Sequence, residues 1–150
     1  MLPSSNNPTI VSAVPKRRVY SLSIRQPWAA LVASGRKTIE VRSWLTRIRG
    51  RILIHAARVP DDRPEAWKWV SDAIRPLTEL RGGIIGETEL IGCQAYRDIE
   101  SFTRESELHL NESAWFQPKG LFGFVFRDAA LISFRPWPGN VRFFTVEDVR

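Results

Sequence analysis

Polar and apolar positions alternate along residues 19–24. Val19, Ser21 and Ser23 face one way and Tyr20, Leu22 and Ile24 the other, the period-two pattern of a half-buried strand. Arg25-Gln26-Pro27-Trp28 breaks the alternation. Pro27 suits the first position of a helix, where a missing N–H costs nothing. The short run Ala29-Ala30-Leu31-Val32-Ala33-Ser34 follows, and Gly35 ends it. Alternation returns over residues 37–42, with Ile39 and Val41 on one face and Thr38, Glu40 and Arg42 on the other. Residues 51–57 predict a third strand, with Ile52, Ile54 and Ala56 opposite Leu53 and His55. Residues 61–80 carry helical spacing. Asp61 or Asp62 caps this segment, Pro64 sits early, and Pro76 ends or bends it. Trp67, Val70, Ile74 and Leu77 form its expected buried stripe. Residues 83–96 read as a strand, and glycines at 82, 83, 86 and 92 imply bulges or tight curvature. Residues 98–112 are polar and predict a short helix and a loop. Residues 120–126, 131–134 and 141–146 supply further strands, with a turn at 136–140. Many short curved strands around one main helix predict an α+β, mainly β fold: a small closed β-barrel with short flanking helices.

Composition fits one soluble globular domain: 150 residues, 43% hydrophobic and 25% charged. A chain of this size needs neither disulfide nor structural metal to bury a core. Cys93 is the only cysteine, which excludes an intrachain disulfide and a cysteine-based zinc site. The two histidines, His55 and His109, lack a clustered carboxylate, so no metal site and no cofactor are expected. No apolar run approaches the roughly 18 residues of a membrane span. The first 18 residues hold three prolines and no periodicity and read as a flexible tail, leaving residues 19–150 as the domain. Their basic residues follow the apolar stretch instead of preceding it, unlike a secretory signal, and the expected location is cytoplasmic.

Charge changes the picture. The net charge is +6, but residues 16–58 hold eleven Lys or Arg against the single acid Glu40, and residues 59–150 carry a net −4. Such segregation is the footprint of a polyanion-binding surface, or of a solvated basic face whose acidic counterpart folds against it.

The residues in this basic segment resemble a known family. Gln26-Pro27-Trp28, then Gly35, Lys37, Glu40 and Arg42 in the order Gly-x-Lys-x-x-Glu-x-Arg, then Arg49-Gly50, are similar to the ASCH (activating signal cointegrator homology) domain. The resemblance covers residues 20–57 well and the C-terminal half more loosely. It implies a PUA-like β-barrel with a cleft for nucleic acid or a nucleotide-like ligand. Members are linked to RNA or DNA binding, and a few to enzymatic activity.

Each residue of the constellation has two readings. Lys37 offers three donors to a phosphate or carbonyl, or is an exposed junction lysine. Glu40 accepts from a base amine, such as that of cytosine, or pairs with Arg42. Arg42 reaches a phosphate or steadies Glu40. Gln26 reads a base edge or caps the helix. Trp28 stacks on a base or packs in the core, and Trp44 reads as packing. His55 reads as a partly buried structural histidine before a general base, and His109 as a surface residue. Arg25, Arg47, Arg49 and Arg51 form a strip for the nucleic-acid backbone.

Catalysis has a thinner basis. Bacterial acetylcytidine amidohydrolases of this family use a lysine in the Gly-x-Lys stretch, a threonine three residues later and a distant glutamate. Lys37 matches, but Glu40 stands at the threonine position, and Glu87 or Glu89 would have to supply the carboxylate. In an enzyme, Lys37 and Glu40 would be the catalytic pair. The expected function is binding of RNA, before DNA, or of a nucleoside-like ligand. A hydrolase of RNA or modified nucleosides is the alternative, and a protein-interaction module built on the aromatic C-terminal strands a third.

Overall fold

The computed structural model describes residues 17–149. Strand β1 (Arg18–Ile24) and helix α1 (Trp28–Ala33) form where the pattern places them. Pro27 takes the residue before the helix instead of its first turn, after a cis Gln26–Pro27 bond. Gly35 ends α1 at φ +82°, a conformation open to glycine at no steric cost. Strands β2 (Ile39–Arg42) and β3 (Gly50–Ala56) follow, then a short α2 (Pro64–Trp67). Strand β4 (Gly83–Tyr96), helices α3 (Ile99–Arg104) and α4 (Ser106–His109), and strands β5 (Leu121–Pro136) and β6 (Phe143–Glu147) complete the described chain.

All six strands join one sheet in the order β2-β5-β4-β3-β1-β6. Only β1 and β3 run parallel. Three register shifts between β4 and β5, and one between β3 and β4, curl the sheet into a half-barrel. It is not the closed barrel expected from the sequence, because β2 and β6 are its two edges and share no ladder. Rings bridge the gap instead: Phe143 of β6 stacks 5.9 Å from Phe124 and meets Trp44 edge-on at 5.8 Å.

Inside the curl lie Leu22, Ile24, Ile52, Ile54, Ile85, Leu90 and Phe124, all at most 1% exposed. Every residue of α1 is buried against this face, as befits a helix that is apolar all round. The faces assigned to β3 hold. Ile52, Ile54 and Ala56 join this core, and Leu53 packs on the other side with Ile84 and Val146. The close approach of α1 to β4 depends on Gly86, where a Cβ would stand 2.8 Å from the Ala33 Cβ and 2.8 Å from the Ala130 carbonyl oxygen. Gly86→Ala should therefore cost about 1–2 kcal/mol through overpacking. A denaturant midpoint equal to that of the parent would show that α1 is free to shift.

The segment 61–80 departs most from expectation. In place of one main helix it holds α2, turns, and a 3-10 turn at Arg75–Glu79. Three contacts explain this. Asp61 spends its carboxylate on Trp28 and Arg63 instead of capping a helix. The Trp67 indole donates to the Asp61 carbonyl at 2.7 Å, which turns the chain back on itself. Pro76 has no N–H for an α-helical bond, and the chain tightens around it. Of the expected stripe Val70 is buried, while Trp67, Ile74 and Leu77 are half-buried. Strands expected separately at 120–126 and 131–134 are one strand, β5, which absorbs Asp128 at φ +55°. The expected tail, residues 1–18, lies outside the described residues through residue 16, and Arg18 already belongs to β1.

Candidate functional site

The chain reversal at Gly35 places Lys37 beneath α1, where its N–H donates to the Leu31 carbonyl at 2.9 Å. Lys37 is 1% exposed, so it is not a surface junction lysine. Its ammonium donates to the His109 carbonyl, stands 4.6 Å over the Trp28 ring and lies 3.7 Å from Glu40 Oε1. Burial lowers its pKa from 10.5 to about 8; Glu40 opposes that shift in part, and Arg42 adds to it slightly. Glu40 Oε2 accepts from Arg42 Nε at 3.1 Å and Nη2 at 2.9 Å, and Nη2 also donates to the Ser23 carbonyl. Edge strand β2 and the turn leading into it thus present a line of alternating charge: Lys37, Glu40, Arg42.

A second charged set faces it. Asp61 is buried and accepts the Trp28 indole N–H at 2.9 Å and the Arg63 guanidinium at 2.6 Å. Burial alone would raise its pKa, but the hydrogen bonds from Arg63 and Trp28 outweigh that and hold the carboxyl at about 2. The Arg63 guanidinium in turn lies 3.6 Å over the Trp115 ring. Between the two sets opens a cavity of about 670 Å³. Its lining holds five cations (Arg25, Lys37, Arg42, Arg63, Arg142) and three acids (Glu40, Asp61, Asp62), with Trp28 and Trp44 among them. The cation excess and the fixed carboxylates suit a ligand that is anionic at one end and a hydrogen-bond donor at the other.

Arg25, Trp28, Lys37, Glu40 and Arg42 thus share the cavity with Trp44, and Gln26, Arg47, Arg49, Arg51 and His55 do not line it. Gln26 is fully buried. Its Oε1 accepts the Ala30 N–H, and its Nε2 donates to the Leu77 and Leu80 carbonyls, each at 2.9 Å. It ties the start of α1 to the 3-10 turn. His55 lies on the far face of the sheet, with one ring nitrogen 2.9 Å from Ser23 Oγ and the other 2.7 Å from the Trp137 carbonyl; burial lowers its pKa. Arg51 is engaged by Glu87 at 2.7 Å and Asp148 at 2.8 Å. Arg49 donates to the Thr46 and Ile48 carbonyls, and Arg47 lines a neighbouring groove. Glu87 and Glu89 line another groove, where Glu89 pairs with Arg127.

His109 is a correction. It is fully buried and stacked 4.2 Å from Phe102; its Nε2 is 2.6 Å from the Phe102 carbonyl, and its Nδ1 accepts the Asn111 N–H. Burial holds it near pKa 4, hence neutral, and its backbone carbonyl anchors Lys37. Sequence reasoning missed Asp61, read with Asp62 as a candidate helix cap, and Arg63, which it did not single out. It also missed Asn140 and Arg142, read as a turn and a strand. Adjacent charges at 61–63 were the available signal.

Solved structures share this curled sheet. The crystal structure of the ASCH protein of Zymomonas mobilis superposes with TM-score 0.59 at 17% identity, over 85% of this chain and 87% of that one. A serine-to-alanine variant of the same protein gives 0.61, over 89% and 92%. The ASCH domain family model matches residues 22–129, and the chain belongs to the ASCH domain family. Human activating signal cointegrator 1 is 51% identical over 90 residues; the match takes in 54% of this chain and only 15% of the human protein's length. Among the described residues, no helix is long and apolar enough to cross a membrane.

Proposed function

We propose that this domain binds single-stranded RNA by taking one nucleotide into the cavity around Lys37, Glu40 and Arg42. The observation that carries this reading is Glu40. It is a nearly buried carboxylate held between two cations at the wall of a cavity with excess positive charge. The oxygens of a carboxylate so held suit a base amine, while Arg25 and Arg142, the latter over the Trp44 ring, line the same cavity and suit phosphate. Among the described residues no helix exceeds six residues, so none is long enough to lie along a duplex major groove. Stacking of an unpaired base on Trp28 or Trp44 fits better.

Glu40→Gln should cost roughly 1–3 kcal/mol in binding for the preferred base and less for the others. It should leave the melting temperature within a few degrees. Titration of the four nucleoside monophosphates and of homopolymeric RNA against both proteins checks this. A destabilised variant with an unchanged preference profile would make Glu40 a structural ion-pair partner only. Affinity should also fall with salt, by about 0.7 in log–log slope for each phosphate contacted.

One observation favours a hydrolytic reading beside this one. A lysine with pKa about 8 is partly neutral near that pH and can take a proton from water or a ribose hydroxyl. Incubating the protein with RNA and with N4-acetylcytidine, followed by mass analysis, decides it; intact substrates retire the reading.

A further inference from the structure

A second groove, of about 550 Å³, opens beside the cavity. Trp44 and Arg142 line both, and Arg142 lies 4.9 Å over the Trp44 ring. One stacked pair is thus the wall between the two spaces. Arg142 is placed there by a left-handed backbone turn, φ +56°, just before β6 begins.

The groove differs in character from the cavity. Three carboxylates line the cavity and none lines the groove. Its surface is made by Tyr20, Leu45 and Phe143, with Trp44 at one end and Arg47 and Arg142 as its only charges. Tyr20 is 46% exposed and Leu45 49% exposed, and Tyr20 is held edge-on to Phe143 at 6.1 Å. Rings fixed by packing, open on one face and flanked only by cations, form a platform for a planar, electron-rich group beside an anion.

We infer that this groove is the adjoining nucleotide subsite. It takes the base that neighbours the nucleotide in the cavity, with Arg142 on the phosphate between them and Arg47 on the phosphate beyond. The inference rests on the reading of the cavity as an RNA site. Continuity between the spaces through the Trp44–Arg142 wall favours this occupant over an apolar peptide, and so does the absence of acid in the groove's lining.

The test compares chain lengths on the intact protein. Nucleoside monophosphates, dinucleotides and octameric homopolymers of RNA are titrated against the parent protein and against Tyr20→Ala and Leu45→Ala. Both side chains are half open to solvent, so both variants should fold, and the melting temperature verifies that. The parent should bind a dinucleotide about tenfold more tightly than a monophosphate, the gain expected of one stacked base. Tyr20→Ala should erase most of that gain and leave monophosphate affinity within twofold. A dinucleotide that binds no better than a monophosphate overturns the subsite and leaves the cavity reading standing. Equal weakening of both ligands by Tyr20→Ala overturns it too. Oligomer binding indifferent to Lys37→Met sinks the cavity reading and the register proposed here. Self-association of the parent that Tyr20→Ala abolishes would make the groove a face for a second copy, and overturn the inference.

Discussion

Lys37→Met should give a more stable protein that no longer binds nucleotide. At neutral pH the buried ammonium is charged, and its pKa of about 8, against 10.5 for a lysine in water, measures what burial costs net of the opposing pull of Glu40. A gap of that size corresponds to roughly 3 kcal/mol against folding. The sign follows from proton binding. Between about pH 8 and pH 10.5 the unfolded chain holds the Lys37 proton and the folded one does not, so stability climbs with pH in that window and is flat in this respect below it. Methionine fills a similar volume without charge. The His109 carbonyl keeps the Asn111 side-chain donor at 2.8 Å, and Glu40 keeps Arg42. A gain of about 1–3 kcal/mol is expected, since the gap already includes the opposing pull of Glu40 and methionine gives up the bond to the His109 carbonyl, together with a flatter profile above pH 8. Denaturant melts at pH 7 and pH 10 measure both. A loss of more than about 1 kcal/mol at pH 7 would mean that the ammonium's partners outweigh its desolvation, and that Lys37 is there for the fold.

Asp61→Asn should act in the opposite direction. The carboxylate gathers the Trp28 indole, the Arg63 backbone N–H and the Arg63 guanidinium onto two oxygens. An amide offers one acceptor and turns two donors toward groups that are donors themselves. The expected cost is about 2–3 kcal/mol, held to that range because the Arg63 side chain is 46% exposed and can rehydrate. The parent's pH dependence reports the same bond. With the folded pKa near 2 and the unfolded one near 3.8, the Asp61 contribution is whole above pH 4 and fades as pH falls through about 2. The variant should lack that part of the acid transition. Nucleotide affinity should drop severalfold as well, because Arg63 loses the anchor that holds it over Trp115. An unchanged acid limb would remove Asp61 from the account of stability.

Strands and their faces were legible wherever one side of the chain had to be dry. The alternation in β1 and β3 sorted Leu22, Ile24, Ile52, Ile54 and Ala56 into the core, because a one-residue slip would reverse every side chain. The Gly-x-Lys-x-x-Glu-x-Arg spacing brought Lys37, Glu40 and Arg42 together, since a short strand after a glycine turn leaves them few other places. What failed was long-range. Helical spacing at residues 67–77 describes an apolar stripe, but no local pattern reveals that Asp61 is bound to Trp28, 33 residues away. His109 was misplaced for the same reason: its burial comes from Phe102, and Tyr96 at 5.9 Å, closing over it after the chain has turned. Arg142 reaches the cavity only through its positive φ, which a run of apolar residues does not advertise.

The family model matches residues 22–129, and one wall of the cavity comes after that span. Lys37, Glu40, Arg42, Asp61 and Arg63 lie within that span, while Asn140, Val141 and Arg142 are delivered by the loop that precedes edge strand β6. That loop is fastened at its two ends. The Trp137 carbonyl meets His55, and β6 pairs with β1 from Leu22–Phe143 to Arg18–Glu147. Between these moorings the backbone owes little to the sheet. On the proposed reading of the cavity as a ligand site, grafting a different segment onto this frame should therefore change ligand preference, much as an interchangeable bit is seated in a fixed chuck.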